Sequence, residues 1–271
     1  MTGPTAREKA TALLALHQGA GFIIPNAWDA GSARVFEQLG LPAIATTSAG
    51  IAWSLGVPDG GAVDRDTMLE HVRRIAAAVA VPVTADLEDG YGNTADAVAG
   101  TVAAVAALGV VGANIEDARD GELFGIEDAT ERIAAAREAA PRGEFVLNAR
   151  TDAYFVGAAG DPFDEAIERA SRYVAAGADC VFVPGVSDAE TIRRLAAAIP
   201  APLNIVAGLA SSMPAAELFA LGVRRVSAGG GIARASLSFV ERAGRELLDT
   251  GTLGFLEGAT SYAETQARFT D

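Results

Sequence analysis

The chain has 271 residues, half of them apolar, which is a size typical of one (β/α)8 barrel with a large buried core. Its formal net charge of −14 argues against nucleic acid or an anionic membrane as a partner, because both need a basic protein face. No apolar run reaches the roughly 18 residues of a membrane span, and the polar start lacks a signal-peptide core, so we expect a cytoplasmic protein.

Short β-rich runs alternate with amphipathic helical segments along the chain. The predicted strands are Phe22–Asn26, Ala43–Ser48, Val81–Asp86, Gly112–Glu116, Phe145–Arg150, Cys180–Pro184, Leu203–Ala207 and Arg225–Ala228. The predicted helices include Asp29–Leu39, Asp66–Ala80, Thr94–Leu108, Asp128–Ala140, Pro162–Ala176, Asp188–Ile199, Pro214–Leu221 and Ile232–Leu248. Eight strands alternating with helices predict an α/β fold, a parallel sheet closed into a (β/α)8 or TIM barrel. We expect one catalytic domain over residues 1–271 that ends in a short helical tail.

Three residue types are nearly missing, and their scarcity narrows the possible chemistry. Lys9 is the only lysine, the histidines are His17 and His71, and Cys180 is the only cysteine. No lysine lies near a predicted strand end to form a Schiff base, and no histidine is placed to complete a Ser-His-Asp triad. We expect Cys180 to be a buried strand residue rather than a nucleophile. Acid–base chemistry must therefore come from carboxylates, hydroxyls, a metal ion or bound water.

Polar residues cluster where predicted strands end, which is the catalytic face of such a barrel. They are Asn26–Asp29, Thr46–Gly50 with Asp59, Asp86–Gly92, Asn114–Asp117, Asn148–Asp152 and Asn204. Several carboxylates on one rim repel each other, and a hard divalent cation relieves that repulsion. Ligands that are all oxygen favour Mg²⁺ or Mn²⁺ over Zn²⁺. Helix N-capping is an equally good interpretation for Asp29, Asp89, Asp117 and Asp152.

Arg150 is the cation at a strand end among these motifs. Its planar fork can bind a substrate carboxylate or phosphonate. An internal salt bridge to Glu116 or Asp152 is the alternative, and the two roles can coexist.

The run Thr47–Gly50 offers hydroxyls and backbone N–H groups to an oxyanion, although an ordinary turn would produce the same pattern. Either tryptophan of the barrel rim could form a pocket wall or simply pack. We expect Trp28, rather than Trp53, to line the pocket.

In this order the motifs resemble those of the isocitrate lyase/phosphoenolpyruvate mutase superfamily. The clearest is Asp86-Leu-Glu-Asp-Gly-Tyr-Gly-Asn93, which is similar to that family's Asp-Xaa-Asp/Glu-Xaa-Gly-Tyr/Phe-Gly metal motif. Gly56–Asp59, Gly112–Asp117 and Asn148–Asp152 support it in order, and the resemblance covers roughly Phe22 to Ala233. It implies a Mg²⁺- or Mn²⁺-dependent enzyme acting on a small 2-oxo acid or related carboxylate through a metal-bound enolate. Family members typically form tetramers that exchange the eighth helix, so we expect a homotetramer or a dimer.

The resemblance also implies roles for individual residues. Asp86 would contact the metal directly, while Asp59, Glu88 and Glu116 would hold it largely through its waters. Arg150 would bind the substrate carboxylate, and the backbone around Ser48 and Ala49 would hold the 2-oxo acid oxygens. The resulting assignments are catalytic roles for Arg150, Glu116 and Asp59, and substrate contacts for Thr47, Ser48, Ala49, Asp86, Arg150, Asn204 and Trp28.

The loop after the fourth strand departs from the family pattern. Family lyases carry Lys-Lys-Cys-Gly-His here and the mutases carry a longer loop with functional Lys and Asn, whereas residues 117–128 contain no Lys, Cys or His. Pro184-Gly185 stands where the mutases have a histidine. These departures argue against isocitrate lyase, methylisocitrate lyase and phosphonomutase activity, and leave a metal–enolate site with an altered loop. Another carbon–carbon lyase or decarboxylase that yields a 2-oxo acid such as pyruvate is the favoured interpretation. A hydrolase of an oxaloacetate-like or phosphonopyruvate-like substrate and a non-catalytic 2-oxo acid binder stay open.

Overall fold

The computed structural model of the protein describes residues 3–157, 160–209 and 213–270. The ends of the predicted domain, Met1, Thr2 and Asp271, lie outside this part of the chain. The strands are β1 Phe22–Ile24, β2 Asn26–Ala27, β3 Ile44–Thr46, β4 Val83–Asp86, β5 Gly112–Glu116, β6 Ala118–Arg119, β7 Glu122–Leu123, β8 Val146–Arg150, β9 Cys180–Phe182, β10 Leu203–Val206 and β11 Arg225–Ser227.

The helices surround these strands, and most begin with a capped first turn. They are α1 Ala6–Gln18, α2 Ala30–Gln38, α3 Ser48–Ser54, α4 Arg65–Ala77, α5 Ala95–Ala107, α6 Ile126–Ala139, α7 Pro162–Ala175, α8 Ala189–Ala198, α9 Ala215–Ala220, α10 Gly231–Asp249 and α11 Tyr262–Ala267. Asp29 caps α2 by accepting a hydrogen bond from the Ser32 N–H at 2.6 Å, so helix capping is the correct interpretation for this aspartate.

Nine parallel strands form one sheet in the order β1-β11-β10-β9-β8-β5-β4-β3-β2. Its two edge strands, β1 and β2, are consecutive in the chain and are separated by Pro25 alone. Proline has no N–H to donate to a sheet, which interrupts the strand at this residue. The Pro25 carbonyl still accepts the N–H of Ala45 at 2.9 Å. β1 and β2 thus act as one barrel strand, and the predicted (β/α)8 barrel is confirmed.

The two ends of the barrel differ in how they are filled. Helix α1 covers the amino-terminal end, where Leu13 and Ala10 pack into an apolar cluster with Phe22, Ile24 and Val146. The carboxyl-terminal ends of the strands carry the polar residues instead. Helix α1 thus closes one end of the barrel with apolar packing, and the polar strand ends lie at the opposite rim.

Helix α10 begins at the rim and leaves the barrel. Among its described residues only Ala233 is buried, and apolar side chains such as Leu237, Phe239 and Val240 are exposed. An exposed apolar helix face of this kind is typical of an interface between subunits. No helix in the described part of the chain is long and apolar enough to cross a membrane.

Candidate active site

Two adjoining cavities open at the carboxyl-terminal rim of the barrel. The first has a volume of about 350 Å³ and the second about 770 Å³. Both are lined by Ser48, Asp59, Arg150 and Phe155, so they form one continuous site. The predicted residues that line the first cavity are Thr47, Ser48, Ala49, Asp59, Asp86, Arg150 and Asn204. Glu88 and Glu116 line the second. The structure therefore brings together all but one of the residues to which the sequence assigned a metal, catalytic or substrate-binding role.

Trp28 is the exception. It packs against the main apolar core and is not among the described residues that line either cavity. Trp53, on α3, lines the first cavity instead. The expectation that Trp28 rather than Trp53 lines the pocket is therefore wrong. Helix α3 directs Trp53 toward the loop that contains Gly230, so closely that a Cβ on this glycine would lie 3.1 Å from the indole ring.

Asp86 ends β4 at the centre of the site, and three hydrogen bonds fix it. Its Oδ2 accepts the Ser48 N–H at 2.9 Å, and its Oδ1 accepts the Asn114 Nδ2–H at 2.7 Å. Its own N–H donates to the Thr46 hydroxyl at 2.9 Å. Each carboxylate oxygen can accept more than one contact, so both remain able to ligate a cation.

Glu88 occupies a strained position beside Asp86. Its φ of 48° lies in the left-handed region, which costs a residue with a side chain on the order of 1–3 kcal/mol. Its carboxylate accepts the Gly61 N–H at 3.1 Å and the Tyr91 hydroxyl at 3.0 Å. Burial, followed by repulsion from Asp86, raises the pKa of Glu88 to about 7 although the Tyr91 hydrogen bond opposes the rise. Strain and a raised pKa in one side chain are typical of a functional site.

The adjacent Gly90 makes this turn possible. Its φ is 91°, and a Cβ there would lie 2.8 Å from the Val98 side chain. Glycine is the residue type that fits both constraints.

Arg150 ends β8 between two carboxylates. Its Nη1 lies 2.6 Å from Glu116 Oε2, and its Nε donates to Asp152 Oδ1 at 2.8 Å. Burial raises the pKa of Glu116 well above its usual range, and the Arg150 guanidinium opposes that rise. Arg150 therefore forms the internal salt bridge that the sequence analysis considered, with both Glu116 and Asp152. These ion pairs are compatible with a role in substrate binding as well.

Three of the four acids predicted to hold a metal, Asp59, Glu88 and Glu116, lie around the fourth, Asp86, but the four do not form a tight cluster. In the described residues no three His, Cys, Asp or Glu side chains converge closely enough to form a metal site by themselves. Burial and then repulsion from Asp86 raise the pKa of Asp59, as they do that of Glu88. Repulsion of this kind among carboxylates is relieved by a hard divalent cation, so Asp86, Asp59, Glu88 and Glu116 fit such an ion in chemistry and charge.

The short loop after β5 folds into an antiparallel hairpin of β6 and β7, which the sequence analysis missed. Arg119 on this hairpin contacts Asp89, the Asn93 side chain and the Gly92 carbonyl. It thereby ties the loop to the metal motif. Asp89 is engaged by this arginine rather than by a helix N-terminus.

The side chains of Asp117 and Asp152 also contact groups other than a helix N-terminus. Asp117 accepts the Tyr173 hydroxyl at 2.6 Å and the Asp152 N–H at 2.8 Å, and it pairs with Arg169. Capping by the side chain is therefore wrong for Asp89, Asp117 and Asp152, although Asp152 directly precedes a short π-helix, Ala153–Gly157. These acids instead hold the rim loops in place.

Comparison with known proteins places this geometry in a family. The profile of the phosphoenolpyruvate phosphomutase family matches residues 13–248. The chain belongs to this family, within the isocitrate lyase/phosphoenolpyruvate mutase superfamily. The superfamily comprises lyases, hydrolases and mutases that act on oxo acids, and both lyases and hydrolases are among the relatives of this chain.

Three relatives illustrate the range. A candidate lyase/mutase of Burkholderia cenocepacia is 42% identical, with a TM-score of 0.93 over 98% of this chain and 97% of that one. An oxaloacetate decarboxylase of Rhodopseudomonas palustris is 33% identical over 73% of this chain and 71% of its own length. A phosphonopyruvate hydrolase, solved with oxalate and Mg²⁺, is 29% identical, with a TM-score of 0.85 and coverage of 96% and 95%.

Proposed function

We propose that the protein is a Mg²⁺-dependent carbon–carbon lyase or decarboxylase acting on a small 2-oxo acid or a related di- or tricarboxylate. One observation carries the proposal. A single cavity joins Asp86, at the centre of an oxygen-only acidic group, to backbone N–H donors of α3 and to the guanidinium of Arg150. A metal centre, an oxyanion site and an anion fork are the parts that enolate chemistry requires.

The start of α3 offers a specific donor for the substrate. The Ser48 N–H donates to Asp86, and the Gly50 N–H donates to the Thr47 hydroxyl. The N–H of Ala49, between them, forms no hydrogen bond within the described residues. We infer that this N–H binds an oxygen of the 2-oxo acid, while Arg150 binds a carboxylate of the substrate.

With a 2-oxo acid such as oxaloacetate, the distal carboxylate would leave as CO2 and the electron pair of the broken carbon–carbon bond would pass into the 2-oxo group, forming an enolate. With a 2-hydroxy acid such as a substituted malate, loss of the hydroxyl proton would produce the 2-oxo acid, and the electron pair would pass to the departing fragment as the enolate of its carboxylate. A bound Mg²⁺ would supply positive charge for the oxygen on which negative charge develops. Protonation of the enolate carbon completes the reaction. Asp59 and Glu116 line the site and have raised pKa values, so they are the carboxyl groups proposed to carry a proton there.

Hydrolysis is the second candidate. The hairpin loop contains no Lys, Cys or His, so water could take the place of a loop side chain. The similarity to phosphonopyruvate hydrolase supports the same alternative. A protein that binds a 2-oxo acid without turnover is the third.

Product analysis distinguishes these functions. Purified protein with Mg²⁺ or Mn²⁺ is incubated with oxaloacetate, 2- and 3-substituted malates, methylisocitrate and phosphonopyruvate. A lyase or decarboxylase releases pyruvate or another 2-oxo acid without phosphate, and a phosphonopyruvate hydrolase releases both. From oxaloacetate, acetate and oxalate mark hydrolysis. Saturable binding without any product from this panel would contradict an enzymatic function, and Asp86→Asn serves as the inactive control.

A further inference from the structure

Arg225 is a second cation in the first cavity, and its surroundings differ from those of Arg150. It begins β11 and lines the cavity together with Ser227, two residues further along the same strand. Its side chain is almost completely buried, with 1% exposed. Neither its Nε nor its Nη1 has a hydrogen-bond partner within the described residues. A guanidinium that is buried and lacks such partners points to a ligand that the cavity normally holds.

Arg225 lacks the carboxylate partners that neutralise the charge of Arg150. Arg150 forms ion pairs with Glu116 and Asp152, whereas no carboxylate lies within ion-pair distance of Arg225 in the described part of the chain. Burying an ionised group without a partner is strongly unfavourable. Burial lowers the pKa of Arg225, which reflects this cost. A guanidinium nevertheless keeps its proton in proteins, so deprotonation does not relieve the cost. An anion in the cavity would remove the cost.

We propose that Arg225 binds the distal carboxylate of a substrate whose 2-oxo acid end lies at Asp86. The inference rests on the proposed function and narrows the substrate class to an acid with two separate anionic groups. Arg150, already paired twice, would then mainly fix the rim and the near end of the substrate. Arg225 would select for the second anionic group.

The residues around Arg225 fit this assignment. Asn204 is in register with Arg225 on the neighbouring strand, and its Nδ2 donates to the Ser227 hydroxyl at 3.1 Å. The hydroxyl can therefore turn its own proton toward a bound carboxylate. Phe182 and Val206 supply apolar lining in the same cavity. The cavity thus offers polar groups at Asp86, apolar side chains in between and a cation at Arg225. This order matches a linear 2-oxo dicarboxylate.

Matched pairs of unreactive ligands test the proposal. Isothermal titration calorimetry with Mg²⁺ compares 2-oxoglutarate with 2-oxopentanoate, and 2-oxoadipate with 2-oxohexanoate, in which a methyl group replaces the distal carboxylate. We expect the wild-type protein to prefer the dicarboxylate in at least one pair by roughly 10- to 100-fold, as for a charge-assisted contact. In Arg225→Met this preference should fall below about threefold, while the affinity for the monocarboxylates stays unchanged.

The neighbouring arginine provides the control. Arg224 donates to the carbonyls of Gly222 and Val223 and is not among the residues lining the cavity, so Arg224→Met should keep the wild-type preference. The proposal is overturned if the wild-type protein shows no preference in either pair, a result that needs no folded variant. It is also overturned if Arg225→Met retains the preference. Failure of the proposed function looks different, because binding of all four acids would then be independent of Mg²⁺ and of Asp86.

Discussion

Replacing Arg150 by methionine removes the cation that separates Glu116 from Asp152. Both ion pairs lie in the rim of the cavity, where the Arg150 side chain is 20% exposed and that of Asp152 is 4% exposed. The variant keeps a side chain of similar length but leaves two neighbouring acids without a counter-charge. We expect it to lower the stability of the protein even before any ligand is added.

The size of the effect follows from burial. Removing one partner of a buried ion pair costs about 3–5 kcal/mol. At about 2 °C per kcal/mol for a chain of this length, Tm should fall by roughly 6–10 °C. Arg172→Met is a matched control, because Arg172 also pairs with two acids, Glu127 and Glu168, but is 43% exposed. That variant should lose less than about 1 kcal/mol.

The loss should also depend on pH. The folded-state pKa of Glu116 is raised by burial, and removal of Arg150, which opposes the rise, raises it further. A carboxyl group with a raised folded-state pKa contributes stability below its unfolded pKa and loses it as pH rises through the folded value. The Tm deficit of Arg150→Met relative to wild type should therefore grow from pH 5 to pH 8 in scanning calorimetry. A deficit no larger than that of Arg172→Met, or one that is equal at all pH values, refutes the reasoning.

Three further outcomes are expected. The pKa of Glu88 is about 7, so at lower pH Mg²⁺ must displace a proton from this carboxyl group in order to bind. The affinity of the protein for Mg²⁺, measured by calorimetry, should therefore fall about tenfold per pH unit below 7. In Glu88→Gln the affinity should depend less steeply on pH. Arg119→Ala removes the contacts to Asp89, so amide hydrogen exchange in the β6–β7 hairpin should be faster than in the wild-type protein, while exchange in β4 is unchanged. If the hairpin exchanges at the same rate in the variant and in the wild-type protein, Arg119 does not hold the loop. Val240 is 62% exposed on α10, where we propose a subunit interface. Light scattering should show that Val240→Glu converts the proposed tetramer or dimer into monomers. A wild-type protein that is monomeric at micromolar concentration would contradict the interface.

The barrel could be predicted from the sequence because its signals are local and repeated. Glycines 40, 109, 177 and 222, which the sequence places after helices, have φ values of 84°, 81°, 116° and 103°, as helix C-caps require. The positions at which strands end were predicted less accurately. The predicted strand Ala43–Ser48 ends at Thr46, because Thr47 caps α3 and starts a helix where the sequence also allowed a turn.

The polar rim could be predicted for a related reason, since strand ends of a parallel barrel meet on one face. Arg225 was missed because it starts its strand instead of ending it, although alternation within Arg225–Ser227 places it on the same side as Ser227. The β6–β7 hairpin was missed because strands of two residues leave no periodic signal. Which tryptophan faces the cavity depends on how α3 packs, and local sequence does not encode that.

The most direct test of Mg²⁺-dependent 2-oxo acid chemistry at Asp86 uses oxalate, a stable mimic of a 2-oxo acid enolate. Calorimetry measures oxalate binding to the wild-type protein and to Asp86→Asn, each with Mg²⁺ and with a chelator. We predict saturable binding to the wild-type protein with Mg²⁺, and a loss of at least roughly 100-fold in affinity without Mg²⁺ or without the Asp86 carboxylate. Oxalate affinity that is the same in all four samples would contradict a metal site at Asp86 and the function built on it.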